Sequence, residues 1–327
     1  MSVTSAFAAS EFVDLYLSNS FADVTGLAGV SDTRVPVPEA WAQDMETLRE
    51  SCRQTQAAIG GPEFSVAYGG RVYRVTHLDS VEPGGTYVLR QSKAEIRAFR
   101  TIGIPRHFAD ALLAEDAVGL ALICGGFGVG KTTTGASWMV ERLERHGGIG
   151  LSIEDPIETL IDGVHGKGRC IAINASRQNG GYREHLIRGL RSGVDFIFLG
   201  EIRDAETAYE ALKAGSNGEL IIATFHAQGP IHALERLIAM AGEHTSSAAN
   251  MLADSLLGVL WQNLAADTKD DGSVFTRFSV KTLLVSGSEA AAIRAKIRDG
   301  NLVTLNQDIE QQARSGYWQQ GVGDRRR

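Results

Sequence analysis

"GLALICGGFGVGKTTT", residues 119–134, passes from an apolar run through a glycine-rich loop into residues able to start a helix. Gly125, four intervening residues, then Gly130-Lys131-Thr132 is the spacing of a phosphate-binding loop, in the strand-before, helix-after setting that the pattern requires. The intervening residues are Gly126, Phe127, Gly128 and Val129, and Thr133 follows. Glycines let successive backbone N–H groups face phosphate oxygens, and the helix N-terminus adds the positive end of its dipole. Lys131 is expected to reach the β- and γ-phosphates of ATP, and the Thr132 hydroxyl to ligate a nucleotide-bound Mg²⁺. Cys124, just ahead of the loop, reads as a small core residue rather than a redox switch.

Around the loop, apolar runs alternate with helical stretches. "GLALIC", "IGLSIED", "VDFIFLG" and "ELIIATFHA" are expected strands, with helices at about 132–146, 181–192 and 204–215, the alternation of a parallel sheet flanked by helices. After His226 the pattern predicts mostly helix, including "AANMLADSLLGVLWQNLA" (248–265), interrupted by a short strand pair around "SVFTRFSVKTLLV". Ahead of the sheet, "SDTRVPVPEAW" reads as a loop, "SVAYGGRVYRVTHL" as a hairpin turning at Gly69-Gly70, and "TYVLRQ" as a further strand. The expected fold class is α/β: a small antiparallel α+β domain over 1–99, a linker and helix over 100–117, and the loop-bearing domain with a helical C-terminal region over 118–327. The closing "GDRRR" reads as a solvated tail.

"FIFLGEIRDAE" (196–206) delivers Glu201, Arg203 and Asp204 to the end of a buried strand. A carboxylate there is costly to desolvate without a cation, a metal or a polarised water, and a nucleotide-bound Mg²⁺ near the loop would supply that partner. The usual metal-facing Asp position is Gly200, one residue earlier, so Glu201 is a candidate to polarise water; a structural salt bridge to Arg203 is the alternative. In "SIEDPIE", Glu154, Asp155 and Glu158 crowd a strand end stopped by Pro156, an arrangement that is poor without cations unless it is simply a solvated acidic turn.

At 327 residues, with 43% hydrophobic and 22% charged residues, the chain has globular composition and room for roughly two domains. A net charge of −7 argues against a nucleic-acid coat and makes a nucleic-acid partner unexpected. Three scattered cysteines without a Cys-x-x-Cys pair suit a reducing cytoplasm, and no apolar run approaches the ~18 residues of a membrane span. The first basic residue is Arg34, so a positively charged signal-peptide lead is not expected.

Taken in order, "GGFGVGKTTT", "LSIEDPIE", "FLGEIRDAETA" and "IIATFHA" resemble the Walker A loop, Asp box, Walker B Glu and His box of the type II/type IV secretion ATPase superfamily, in its PilT-like branch. The resemblance implies a PAS-like N-terminal domain and a RecA-like P-loop ATPase domain. It implies that Glu201 activates the hydrolytic water, that Glu154, Asp155 and Glu158 approach the metal and its waters, and that His226 senses the γ-phosphate. It further implies a cytoplasmic homo-hexamer recruited to the inner membrane by platform or secretion-complex proteins, with arginines of the N-terminal domain reaching the phosphates. Arg90 in "YVLRQ" is the first candidate, Arg100 and Arg106 the others, and a merely solvated strand-end arginine is the alternative.

The chain departs from the family pattern where Gly126, Phe127 and Val129 replace Pro, Thr and Ser of the loop, and where Phe225 and Ala227 flank His226 in place of Leu and Thr. "AAAIRAKIRDG" resembles the family's C-terminal segment but has Ala295 and Lys296 for Asn and Leu; its arginines are expected either to transmit motion to a partner or to pack on their own domain. The reading is a ring-forming motor ATPase of a type IV pilus, a type IV secretion system or a conjugation apparatus. A nucleic-acid-stimulated translocase and a nucleotide-gated scaffold without turnover are the alternatives.

Overall fold

The computed structural model describes residues 6–268 and 273–323, side chains of Arg177 and 315–323 apart, and divides into two compact units. The first comprises the chain up to Ala94 with Glu154–Leu160 and Ala172–Gly181; the second comprises Glu95–Ile153, Ile161–Ile171 and the chain from Tyr182 onward. The last four residues of the "GDRRR" tail lie outside the described residues.

In the first unit, β1 (Asp14–Leu17), β2 (Ala22–Thr25), β3 (Arg34–Pro36), β4 (Glu63–Tyr68), β5 (Arg71–Leu78) and β6 (Thr86–Gln91) form an antiparallel sheet in the order β3-β2-β1-β6-β5-β4. Burial alternates along β4, as it must when one face of a sheet is covered and the other is not. The cover is helix α1 (Ala42–Ile59), whose Met45, Leu48 and Cys52 recur at helical spacing and pack with Phe7, Trp41 and Tyr73. The hairpin at Gly69-Gly70 forms as the sequence implies. The stretch expected as loop contains β3, and the segment before the hairpin, which carried no clear pattern, holds β1, β2 and α1.

The second unit begins with a segment leading to α2 (Arg106–Leu112), then β7 (Gly119–Gly125) and α3 (Lys131–His146). There follow β8 (Gly148–Glu154), β9 (Gly163–His165), β10 (Gly168–Asn174), α4 (Gly181–Arg191), β11 (Phe196–Leu199), α5 (Ala205–Ser216) and β12 (Leu220–His226). After them come α6 (Pro230–Gly242), α7 (Ala248–Ser255), β13 (Leu256–Thr268), β14 (Val274–Leu284), α8 (Ala290–Arg298) and α9 (Leu305–Gly323). The sheet order is β14-β13-β7-β12-β11-β8-β10-β9, parallel from β13 to β8 and antiparallel at β14 and β9. Every residue of β7 and β11 is buried, as expected of strands covered on both faces. Their carboxyl ends release the phosphate loop and the Glu201 segment.

The expected helix over 248–265 is corrected: α7 stops at Ser255 and the chain continues as β13, which joins the sheet beside β7. Only β14 of the expected strand pair lies in "SVFTRFSVKTLLV"; its partner is β13. On α8, Ile293 and Ile297 are buried, Arg294 donates to the Ala253 carbonyl at 3.0 Å and Arg298 meets Asp254 at 2.5 Å. Both arginines therefore tie α8 to the end of α7.

Helix α3 carries two stripes of polar contacts. Thr133, Ser137 and Glu141 follow one face: the Glu95 N–H donates to Thr133 Oγ1 at 3.4 Å, the Arg97 N–H to Ser137 Oγ at 2.9 Å, and Arg100 meets Glu141 at 3.5 Å. Trp138, Arg142 and His146 follow another and bind the carbonyls of Leu112, Ala114 and Leu113 at 3.0, 2.7 and 2.8 Å, satisfying the end of α2.

Candidate functional site

The phosphate loop spans the end of β7 and the start of α3. A Cβ at Gly125 would lie 2.4 Å from the Gln262 carbonyl oxygen, so only glycine fits there, and Gly130 sits at φ +85° where it caps α3. Lys131 is 8% exposed, and its ammonium donates to the carbonyls of Gly126 at 2.6 Å and Gly125 at 3.3 Å. Phe127 stands at the tip of the loop, 89% exposed, its ring 4.0 Å from that of His226. Burial pushes the Cys124 thiol far up, consistent with an inert core residue.

Glu201 follows β11 with one residue between. The N–H of Ile202 donates to Thr224 at 3.0 Å and Thr224 Oγ1 to the Gly200 carbonyl, so both neighbours of Glu201 are fixed to β12. The carboxylate is shared: Oε2 accepts from Arg203 at 2.5 Å and Oε1 faces His226 Nε2 at 3.0 Å. Asp204 accepts the Thr207 N–H at 2.7 Å and caps α5. His226 ends β12, its carbonyl held by Arg236 at 2.7 Å. Its Nδ1 lies 3.5 Å from Lys131 Nζ. Burial, then the Lys131 charge, lower the His226 pKa, with Glu201 opposing. With an ammonium before Nδ1 and a carboxylate before Nε2, the neutral ring carries its proton on Nε2 and donates it to Glu201. Lys131, His226, Glu201 and Arg203 thus form one chain of contacts at the carboxyl ends of β7, β12 and β11.

The remaining expected residues belong to other contacts. Thr132 and Thr133 lie in the first turn of α3. Glu154 ends β8, and its carboxylate accepts the Glu158 N–H at 3.2 Å; Glu158 itself pairs with Arg74 at 3.0 Å. Asp155 precedes Pro156 in that turn. Among the described residues, no group of three or more His, Cys, Asp or Glu could hold a metal ion unaided. Arg90 is forked onto Asp14, Nε at 2.7 Å and Nη2 at 2.9 Å. Arg100 and Arg106 both bind Asp110. Three residues escaped the sequence reading: Arg74, opposite Arg90 across β5 and β6; Arg236; and Gln262 on β13. The signal for Gln262 was a glutamine inside the apolar run "GVLWQNLA".

A parallel sheet with this loop after one strand and an acid after a second defines a P-loop nucleoside triphosphatase domain. The chain belongs to the type II/IV secretion system protein family, whose model matches residues 66–310. Among curated relatives, the uncharacterised protein YggR of Escherichia coli K12 is 33% identical over 239 residues, 70% of each chain. The type IV pilus retraction ATPase PilT of Pseudomonas aeruginosa is 35% identical over 186 residues, covering 55% of this chain and about half (52%) of PilT. Among solved structures, the pilus retraction motor PilT with bound ADP matches with a TM-score of 0.67 at 24% identity, over 92% of this chain and 86% of that one. The ATPase DotB of Legionella pneumophila matches with 0.68 at 18% identity, over 90% and 84%. These two likenesses bear out the α/β fold.

Proposed function

We propose that the protein is an ATPase that hydrolyses ATP to ADP and phosphate and drives a type IV pilus or a secretion apparatus. The observation that carries this reading is the chain Lys131–His226–Glu201, which sets a phosphate-reaching ammonium, an imidazole and a carboxylate side by side beside the phosphate loop. Family membership and the likeness to PilT support the same reading.

In this reading Gly125 to Thr133 wrap the phosphates, and Lys131 exchanges its loop carbonyls for β- and γ-oxygens. Glu201 takes a proton from the attacking water as the bond between the γ-phosphorus and the bridging oxygen breaks. His226, on Glu201 through Nε2 and 3.5 Å from Lys131, would register the γ-phosphate through Lys131. With one protein hydroxyl, Thr132, and no ready cage among the described residues, the site would suit Mg²⁺, an ion that demands few protein ligands; bound there it would neutralise phosphate charge. Glu154, Asp155 and Glu158 would act on its waters. Arg90, with Nε and Nη2 held by Asp14, would reach a phosphate through Nη1.

The working form is a homo-hexamer on the cytoplasmic side of the inner membrane, recruited there by platform or secretion-complex proteins. Among the described residues no helix is long and apolar enough to cross a membrane, and the net charge of −7 weighs against nucleic acid as a partner. The test is phosphate release by the purified protein. Turnover that needs Mg²⁺ and disappears in Lys131→Ala is expected; turnover unchanged in that variant sinks the reading.

A further inference from the structure

Strand β13 reaches the phosphate loop with a single buried side chain. Gln262, 1% exposed, follows Trp261, which pairs with Cys124 of β7. Its Nε2 donates to the Val129 carbonyl at 2.6 Å, and its Oε1 accepts the Thr134 hydroxyl at 2.9 Å. Its own carbonyl oxygen is the atom that leaves no room for a Cβ at Gly125. One residue therefore meets the loop at its first glycine, near its end and at the first turn of α3. Trp261, pointing to the other face of the strand, donates from Nε1 to the carbonyl of Ala227, the residue after His226, at 3.2 Å.

A buried primary amide in an apolar strand is costly unless both ends are bonded, and here both are. The partner it has matters more than the bond count. A peptide is planar, with its C=O and N–H on opposite sides. A donor that fixes the Val129 carbonyl therefore fixes the Gly130 N–H on the side away from Gln262. In a phosphate loop the N–H groups do the binding, and Gly130, on the C-terminal side of this peptide, leaves it freer to flip unless something holds it.

We propose that Gln262 is a positioning residue for nucleotide binding, holding the Val129–Gly130 peptide and the first turn of α3 in the orientation that presents loop N–H groups to phosphate. The inference rests on the nucleotide-binding reading above. Because the loop grips phosphate before and during reaction alike, losing the brace acts on affinity and KM and leaves kcat nearly unchanged.

The experiment measures ADP affinity, ATPase kinetics and melting temperature for the full chain with Gln262→Met, Gln262→Glu and Thr134→Val. Gln262→Met, similar in volume and without polar ends, is expected to weaken ADP binding and raise KM about tenfold or more, with kcat within about threefold. Gln262→Glu supplies a signature that a general packing defect would not. As a carboxylate it cannot donate to Val129, and once protonated it can, so its ADP affinity should recover between about pH 8 and about pH 6 while wild-type affinity does not follow that course. Wild-type affinity in Gln262→Met, a fall confined to kcat, or no pH-dependent recovery in Gln262→Glu overturns the proposal. If Gln262→Met does not fold, Thr134→Val decides, since it breaks the accepted bond alone: several-fold weaker ADP binding supports the brace and unchanged binding overturns it. A wild-type protein that binds no ADP at all overturns both this proposal and the reading beneath it, whereas tight wild-type binding with indifferent variants overturns the brace only.

Discussion

Asp14 and Glu201 are both carboxylates set against an arginine, and they use their oxygens differently. Asp14 on β1 gives both to one guanidinium, that of Arg90 directly opposite on β6. Glu201 gives one oxygen to Arg203 and the other to His226. A forked pair is geometrically specific, and neither member can turn to a new partner without losing two bonds together. A carboxylate divided between two partners can release one and stay anchored by the other. The first arrangement suits a clamp between strands, the second a group that must exchange a neighbour for a water.

The largest effect should come from Glu201→Gln. The amide keeps the shape and cannot take a proton, so turnover should fall by about 10² to 10⁴ while nucleotide affinity holds. Phosphate release beside a binding titration checks this; near-normal turnover would place Glu201 with Asp14 as a structural clamp. A smaller effect is expected from Arg90→Ala, which should lower turnover in the assembled protein by about tenfold and stability by about 1–2 kcal/mol, because Asp14 is left buried without its fork. Asp14→Asn should share the loss of stability and retain most of the turnover, since the guanidinium remains. If the two variants lose turnover equally, Arg90 acts only through the clamp.

The smallest effect is on pH dependence. Burial and Lys131 lower the His226 pKa in the folded protein, so the unfolded chain takes up this proton at higher pH than the folded chain does. The stability from keeping the ring neutral is therefore present above the ordinary histidine range near ~6.5 and is lost as pH falls through it. His107 and His185 are lowered by burial too and add slope of the same sign, so the informative quantity is a difference between proteins. His226→Gln should lose less melting temperature than wild type between about pH 7 and about pH 5. Parallel curves would mean that the ring's proton does not distinguish folded from unfolded chain.

The same contrast explains what the sequence could and could not reveal. The loop and Glu201 follow strands buried along their whole length and His226 ends a third, and a polar residue closing a largely apolar run marks the strand end by itself. The forks of the first unit carry no such mark. Arg90, Asp14 and Arg74 sit within strands of mixed burial, and only the register decides which residues face each other. Helix α1 had its signal in Met45, Leu48 and Cys52, but the charged residues among them obscured it. The misread stretch 248–265 fails for a different reason. The first half of β13 is buried against β7 and loses the alternation of a strand, and its apolar run continues that of α7, so periodicity alone could not find the break at Ser255. Gln262 was hidden by that same error, because a glutamine on an expected helix needs no partner across a sheet.

Helix α3 has a mechanical property that follows from its two polar stripes. Its 16 residues make a rod roughly 24 Å long, rigid because every turn is hydrogen-bonded. The phosphate loop grips one end, the segment from Glu95 to Arg100 is laced along its length, and the end of α2 hangs from the far half. A rod held in this way acts as a lever arm: tilting it about the loop by about 5° sweeps its distal end through roughly 2 Å, more than a hydrogen bond can stretch. The laced segment and α2 must then travel with it, so a small rotation at the loop is delivered as a displacement of the chain that leads into β7.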